Sequence, residues 1–261
     1  MPDNRLNPGT PDNRLNPGTP ENRLNSGTSA SRSEPAGQDD QAVGLAAVLF
    51  DLDGTLVDSE KIWDVSLDEL ATRLGGKLTP AARASMVGSN LAASMDLLHA
   101  DLGIAGGDLV GDSRWLLART RAYFAEDLPW RPGAKTLLRA VRAEGIPAAL
   151  VTSTHRALVE VALRTIGSEN FGVVVCGDEV EHNKPHPQPY LRAAELLGVP
   201  ISDCVAIEDS PTGIASAEAA GCAVLAVPSE LPVPEAPGRT VRSTLEGVDL
   251  AFLTALIERR R

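Results

Sequence analysis

Short apolar runs that stop abruptly at carboxylates, hydroxyls or a proline recur along most of this chain. They read AAVLF (46–50), PAALVTS (147–153), FGVVVCG (171–177), CVAIEDS (204–210) and CAVLAVP (222–228). Among the later runs, apolar residues repeat at helical spacing over 135–144, 155–166, 188–197 and 211–220, and Gly145, Gly167, Gly198 and Gly221 close these stretches. Continuous apolar strands alternating with amphipathic helices predict a parallel sheet covered on both faces, an α/β core. Between 59 and 130 the alternation stops. WDVSLDELATRL, AARASMV, NLAASMDLLHADL and SRWLLARTRAYFAE all carry helical periodicity and no strand intervenes. An all-helical cap is therefore expected over 60–129, inserted into a core formed by 43–59 and 130–261, with PWRPG (129–133) marking the return.

Residues 1–42 differ in kind. PDNRLNPGT occupies 2–10, repeats identically at 11–19, and returns as PENRLNSGT at 20–28. Each unit offers one large apolar residue (Leu6, Leu15, Leu24), too little to offset the entropy of ordering, and Asn-Pro-Gly turns interrupt any regular element. A disordered tail is expected. The whole chain of 261 residues accommodates one large domain, or a core plus a smaller one, at roughly 150 residues per domain. Its net charge of −11 argues against a nucleic-acid partner, since phosphate backbones attract clustered Lys and Arg. No apolar run is long enough to span a membrane, and the start has no secretory signal pattern. Cys176, Cys204 and Cys222 are too scattered for a disulfide framework or a zinc cluster. A soluble, cytoplasmic monomer is expected.

Ligands of open parallel sheets bind outside the carboxyl ends of the strands. Those ends carry Asp51 and Asp53, then Thr152 and Ser153, then Glu208 and Asp209. Four carboxylates on one edge repel one another unless a cation sits among them. All-oxygen ligation by few protein groups suits Mg²⁺, which retains waters and takes one or two carboxylates together with substrate phosphate. A lone strand-end acid commonly just caps the next helix, but a DxD pair joined by a distant Glu-Asp pair is a more specific arrangement.

FDLDGTLVDSE (50–60), LVTST (150–154), NKPHPQPY (183–190) and AIEDSPTGI (206–214) together resemble, in order, the four motifs of the haloacid dehalogenase superfamily. The resemblance covers about 44–228 and implies a Rossmann-like parallel core with a helical cap and a Mg²⁺ cofactor. It implies that Asp51 attacks phosphorus and that Asp53 protonates the leaving oxygen and later takes a proton from water. Asp53 must then sit in a turn, which Gly54 permits. Metal ligands would be Asp51, the Asp53 carbonyl and Asp209, with Glu208 either a ligand or a residue that holds the ligands. Thr152 and the Ser153 N–H, at a helix start, would bind phosphate, and Lys184 would neutralise charge shared with Asp51. Trp63 and Asn90 are the candidate cap-side substrate contacts. His99, His155, His182 and His186 read as structural or surface residues.

The function implied is a Mg²⁺-dependent phosphatase acting on a small phosphorylated metabolite, a sugar or polyol phosphate. DSEKIWD with KPHPQPY is most similar to bacterial hexose- and hexitol-phosphate phosphatases. Asp53 disfavours a dehalogenase. A β-phosphoglucomutase-like mutase is the enzymatic rival, but its cap histidine position holds Trp63, and its cap arginine is replaced within 88–91. Arg114, Arg119 and Arg121 lie elsewhere in the cap and are the arginines that could serve a mutase as its second-phosphate clamp. A signalling receiver or a silent scaffold is the non-enzymatic alternative.

Overall fold

The computed structural model describes residues 44–260; the expected tail and its repeats lie outside the described residues. The sheet contains β1 (Ala47–Phe50), β2 (Ala148–Val151), β3 (Val173–Val175), β4 (Cys204–Glu208), β5 (Ala223–Ala226) and β6 (Arg239–Val241). All neighbours are parallel, in the order β3-β2-β1-β4-β5-β6. This is the doubly wound α/β core expected, with the chain reversing its winding direction at β1. The expected elements end at residue 228, and the structure adds β6 and α9 (Leu250–Arg260). β6 is a half-buried edge strand of sequence RTV, so it lacks the apolar run that marks a central strand.

Period-two alternation in the strands divides the interior into two layers. Val48, Phe50, Val205 and Ile207 face α5 (Ala134–Ala143), α6 (Arg156–Ile166) and α9, meeting Leu137, Leu158 and Leu253. Ala47, Leu49, Ala149 and Ala206 face α7 (Gln188–Leu197) and α8 (Pro211–Ala220), meeting Tyr190, Ala193 and Ala217. Small residues on both sides of the second layer let its helices lie close to the sheet. Cys204 and Cys222 are buried in this layer, and burial pushes both thiols up from their usual value.

Four helices interrupt the core after β1: α1 (Glu60–Arg73), α2 (Pro80–Met86), α3 (Leu91–Asp101) and α4 (Leu109–Glu126). They enclose a cluster of their own, including Leu67, Leu70, Met86, Met95, Leu98 and Leu116, so the cap has its own apolar interior. Its two connections to the core run side by side: Val57 pairs antiparallel with Trp130, Asp58 N–H donates to Pro129 O at 2.8 Å, and Arg131 N–H donates to Leu56 O at 2.9 Å. His99 is buried within the cap, its Nε2 2.9 Å from Asp112 Oδ2, which bears out a structural role. Among the described residues no helix is long and apolar enough to cross a membrane.

Gly133 caps α5 at φ +82°, and a Cβ there would run into the backbone of Leu245 and Glu246. Gly145 also has positive φ, but nothing lies near its Cβ position. Gly145→Ala is expected to cost about 1–2 kcal/mol from backbone strain alone, and Gly133→Ala at least ~1 kcal/mol more because backbone must move. Urea unfolding of the two variants measures the difference; equal losses would mean that the return from the cap is freely deformable.

Candidate active site

Register brings the acids together. β1 pairs with β4 so that Phe50 lies opposite Ile207, and Asp51 N–H donates to Ile207 O at 3.0 Å. Asp51, Glu208 and Asp209 are all buried, each with a carboxylate oxygen within 4.8 Å of the others. Lys184, on the loop before α7, enters this cluster with its side chain only 2% exposed. Its Nζ donates to Asp51 Oδ1 at 2.7 Å, Glu208 Oε1 at 2.6 Å and Val151 O at 2.9 Å. Tyr190, fully buried, donates its hydroxyl to the same Glu208 oxygen at 2.5 Å.

One ammonium among three acids leaves an excess of negative charge. Burial raises the Asp51 carboxyl, Lys184 opposes, and Glu208 and Asp53 add to the rise. Burial likewise pushes Asp209 well above the carboxylate range, with Asp51 and Glu208 reinforcing it. Burial alone would depress Lys184, but Asp51 and Glu208 outweigh it and hold the ammonium above its usual value. Three buried oxygens with a charge deficit fit a hard divalent cation.

Asp53 lies across the site in a turn where Gly54 N–H donates to Val57 O at 2.8 Å. Gly54 has φ +75°, and a Cβ on it would collide with the Asp209 carboxylate, so both conformation and space require glycine. Asp53 Oδ1 accepts from Ser59 Oγ at 2.6 Å and from Trp63 Nε1 at 3.0 Å; Oδ2 accepts from Thr154 Oγ1 at 2.6 Å. Core and cap therefore both hold this carboxylate. The Trp63 ring is fixed in turn by an edge contact on Phe124, with centroids 6.3 Å apart.

A cavity between these strand ends and the cap is lined on the core side by Asp51, Asp53, Thr152, Ser153, Lys184 and Asp209. Its cap wall mixes apolar side chains such as Leu67, Met86 and Leu116 with Glu60, Arg83, Ser89 and Ser94. Arg83, on α2, donates Nε–H to Asp64 Oδ1 at 2.5 Å and Nη2–H to Glu60 Oε2 at 2.6 Å.

The haloacid dehalogenase-like hydrolase family matches residues 45–221, more than half of the chain. The chain belongs to this family. Hexitol phosphatase A of Escherichia coli (strain K12) is 35% identical over 204 residues, covering 78% of this chain and 88% of that protein. Protein CbbY of Rhodobacter capsulatus is 33% identical over 212 residues, covering 71% and 86% of the two chains. The crystal structure of CbbY from Rhodobacter sphaeroides in complex with xylulose-(1,5)bisphosphate superposes with a TM-score of 0.73 at 27% identity, over 80% of this chain and 99% of that one.

In this haloacid dehalogenase-like hydrolase, the fold brings together most of the residues singled out from the sequence, and it places several of them differently from expectation. Asp51, Glu208 and Asp209 meet, and the Asp53 side chain, expected as the acid with only its carbonyl toward the metal, is held separately by Ser59, Trp63 and Thr154. Thr152 lines the cavity, with its Oγ1 accepting from Thr154 N–H at 3.0 Å. Ser153 lines it too, but α6 begins only at Arg156, capped by His155, so the Ser153 N–H is not at a helix start. Its Oγ donates instead to the cap at Gly88 O, 3.3 Å away. Trp63 reaches the cavity chiefly as a donor to Asp53. Asn90 is outside the lining because its side chain caps α3, accepting from Ala93 N–H at 3.0 Å; Ser89 and Ser94 face the cavity beside it.

Sequence reasoning assigned no role to Tyr190, Thr154, Ser59 or Glu60, although all four stand inside or beside the motifs. Ser229, whose hydroxyl donates to Asp209 Oδ2, and Arg83 carry no motif signal at all. Tyr190→Phe deprives buried Glu208 of one donor and is expected to cost about 1–3 kcal/mol. Urea unfolding reads that loss, and turnover per folded molecule should fall with it as Lys184 loses its backing. Unchanged stability and turnover would remove Tyr190 from the site.

Proposed function

We propose that the chain is a Mg²⁺-dependent phosphomonoesterase acting on a small sugar or polyol phosphate through an aspartyl-phosphate on Asp51. The observation that carries this is the pairing, across one cavity, of a buried Asp51–Lys184–Glu208–Asp209 cluster with a separately held Asp53. Support for the substrate class comes from relatives named for hexitol phosphatase activity.

Lys184 engages Asp51 Oδ1 and leaves Oδ2 free of hydrogen bonds among the described residues, the oxygen suited to attack phosphorus. Thr152, Ser153 and Lys184 line the place where the phosphoryl oxygens would lie. Asp53 gives its proton to the leaving alkoxide oxygen, so that the P–O bond breaks as the Asp51–phosphorus bond forms. It then withdraws a proton from the water that cleaves the acyl-phosphate, returning both aspartates to their starting state. Asp51 and Asp209, with the Asp53 carbonyl, would hold Mg²⁺, and Glu208 would serve through Lys184. Mg²⁺ supplies charge neutralisation to the phosphoryl group during transfer. Apolar cap residues keep bulk water from this reaction.

Asp51→Asn is expected to leave the fold intact and reduce phosphate release from a panel of sugar and polyol phosphates to below ~1%, since loss of a nucleophile costs several decades. Retained turnover would overturn the nucleophile assignment. A chelator should abolish activity in the unmodified chain, with Mg²⁺ restoring it and Ca²⁺ doing so poorly because of its looser coordination. Full activity in chelator would overturn the cation assignment. A parallel assay for conversion of β-glucose 1-phosphate to glucose 6-phosphate, faster than phosphate release, would replace the hydrolase reading by a mutase. Trp63 argues against that outcome, since an indole cannot shuttle a proton; Arg114, Arg119 and Arg121 are all exposed on α4 and outside the cavity lining, and Arg83, which does line the cavity, is paired with Glu60 and Asp64.

A further inference from the structure

Among the described residues the cap wall of the cavity contains one cation, Arg83, and it is already matched by acids. The Arg83 side chain is 18% exposed, and that of Glu60, its nearest partner, 6%. Beside the 2.6 Å contact with Glu60 Oε2 and the 2.5 Å contact with Asp64 Oδ1, Nη2 also lies 3.4 Å from Glu60 O. These contacts engage Nε and Nη2. Among the described residues, Nη1 of Arg83 and Oε1 of Glu60 make no hydrogen bond, so the pair still presents donors and an acceptor. Ser89 and Ser94 add two hydroxyls, 2.7 Å apart, on the same wall.

We propose that Glu60, Asp64 and Arg83 form a specificity element that admits monophosphates with a neutral, hydroxylated tail and rejects those carrying a second anion. This rests on the phosphatase reading above and narrows its substrate class. A second phosphate or a carboxylate at the cap end needs an uncommitted cation. Here one ionised carboxylate suffices to match the guanidinium, and two exceed it. The neighbouring apolar side chains offer an anion no solvation, and burying an unpaired charge against them is unfavourable. A polyol hydroxyl meets the opposite situation, because it accepts from Arg83 Nη1 and donates to Glu60 Oε1 without adding charge. Exclusion by like charge is a recognised route to selectivity. Both acids stand in α1 within the stretch DSEKIWD, and Arg83 in α2, so the element is built wholly from the cap.

The test compares kcat/KM for a hexitol 6-phosphate, phosphoglycolate and a hexose 1,6-bisphosphate, with p-nitrophenyl phosphate as a reference that has no polar tail. The unmodified enzyme should favour the hexitol phosphate over both dianionic-tail and carboxylate-tail substrates by at least tenfold. Asp64→Asn changes a half-exposed side chain (50%) and should fold normally; it should narrow that preference by about fivefold, mainly through improved KM for the anionic-tailed substrates. Glu60→Gln, at the buried position, should narrow it further. Arg83→Met should weaken the hexitol phosphate and improve neither anionic substrate. Equal use of the bisphosphate or phosphoglycolate by the unmodified enzyme overturns the proposal, as does a preference that stays within twofold in both carboxylate variants. Hydrolysis of p-nitrophenyl phosphate without discrimination among tails defeats this inference alone, whereas no phosphate release from any of the four esters defeats the phosphatase reading with it.

Discussion

The Lys184 ammonium is the interaction on which the site depends. It is buried, yet it meets two carboxylates and the last carbonyl of β2 within 2.9 Å. Three strands and the loop before α7 are thereby tied at one point: β1 through Asp51, β2 through Val151, β4 through Glu208. Removing one member of such a buried group typically costs about 3–5 kcal/mol, because the remaining charges lose their counter-ion in a medium that solvates them poorly. Glu208 illustrates the consequence. It lies at the end of a strand among acids, but its Oε1 is committed to Lys184 and Tyr190, so it acts on the cluster by orienting the cation.

Negative charge beyond what Lys184 can match is a property of the fold as well as of the site. Parallel strands that start together also end together, and the winding reversal at β1 opens a crevice between β1 and β4 where Asp51 and Asp209 meet. The raised carboxyls of both residues have the same origin, burial without enough positive charge. A divalent cation bound there would relieve that strain electrostatically, which is what links the cluster to the proposed phosphoryl chemistry.

The cap contributes to the site by contact as well as by covering it. Ser59 and Trp63 donate to Asp53 Oδ1 while Thr154 of the core donates to Oδ2, so the placement of Asp53 depends on the placement of α1. Paired backbone connections at Val57 and Trp130 keep the entry and exit of the cap together. Ser153 reaching Gly88 O closes a second contact on the far side of the cavity. With Glu60 and Arg83 on its wall, the cap holds both a support for the proposed acid and the surface that the substrate's tail would meet.

What the sequence determined by itself is what is local and periodic. Buried parallel strands must be apolar throughout, so β1, β2, β4 and β5 were readable as runs, and the 3.6-residue period located the cap helices. DxDGT and the Glu-Asp pair were legible because each sits where an apolar run breaks off, whereas Lys184, seven residues beyond the nearest run, was legible only through the family resemblance of its loop. Edge strand β6 was not legible, since half-burial leaves no continuous apolar signature. Only the tertiary structure decided which partners these residues take. Asn90 caps a helix, Trp63 supports Asp53, Tyr190 backs Glu208, and Arg83 is neutralised by acids 19 and 23 residues away. Side-chain pairing depends on how helices from distant parts of the chain are set against one another, and no local pattern of residues encodes that geometry.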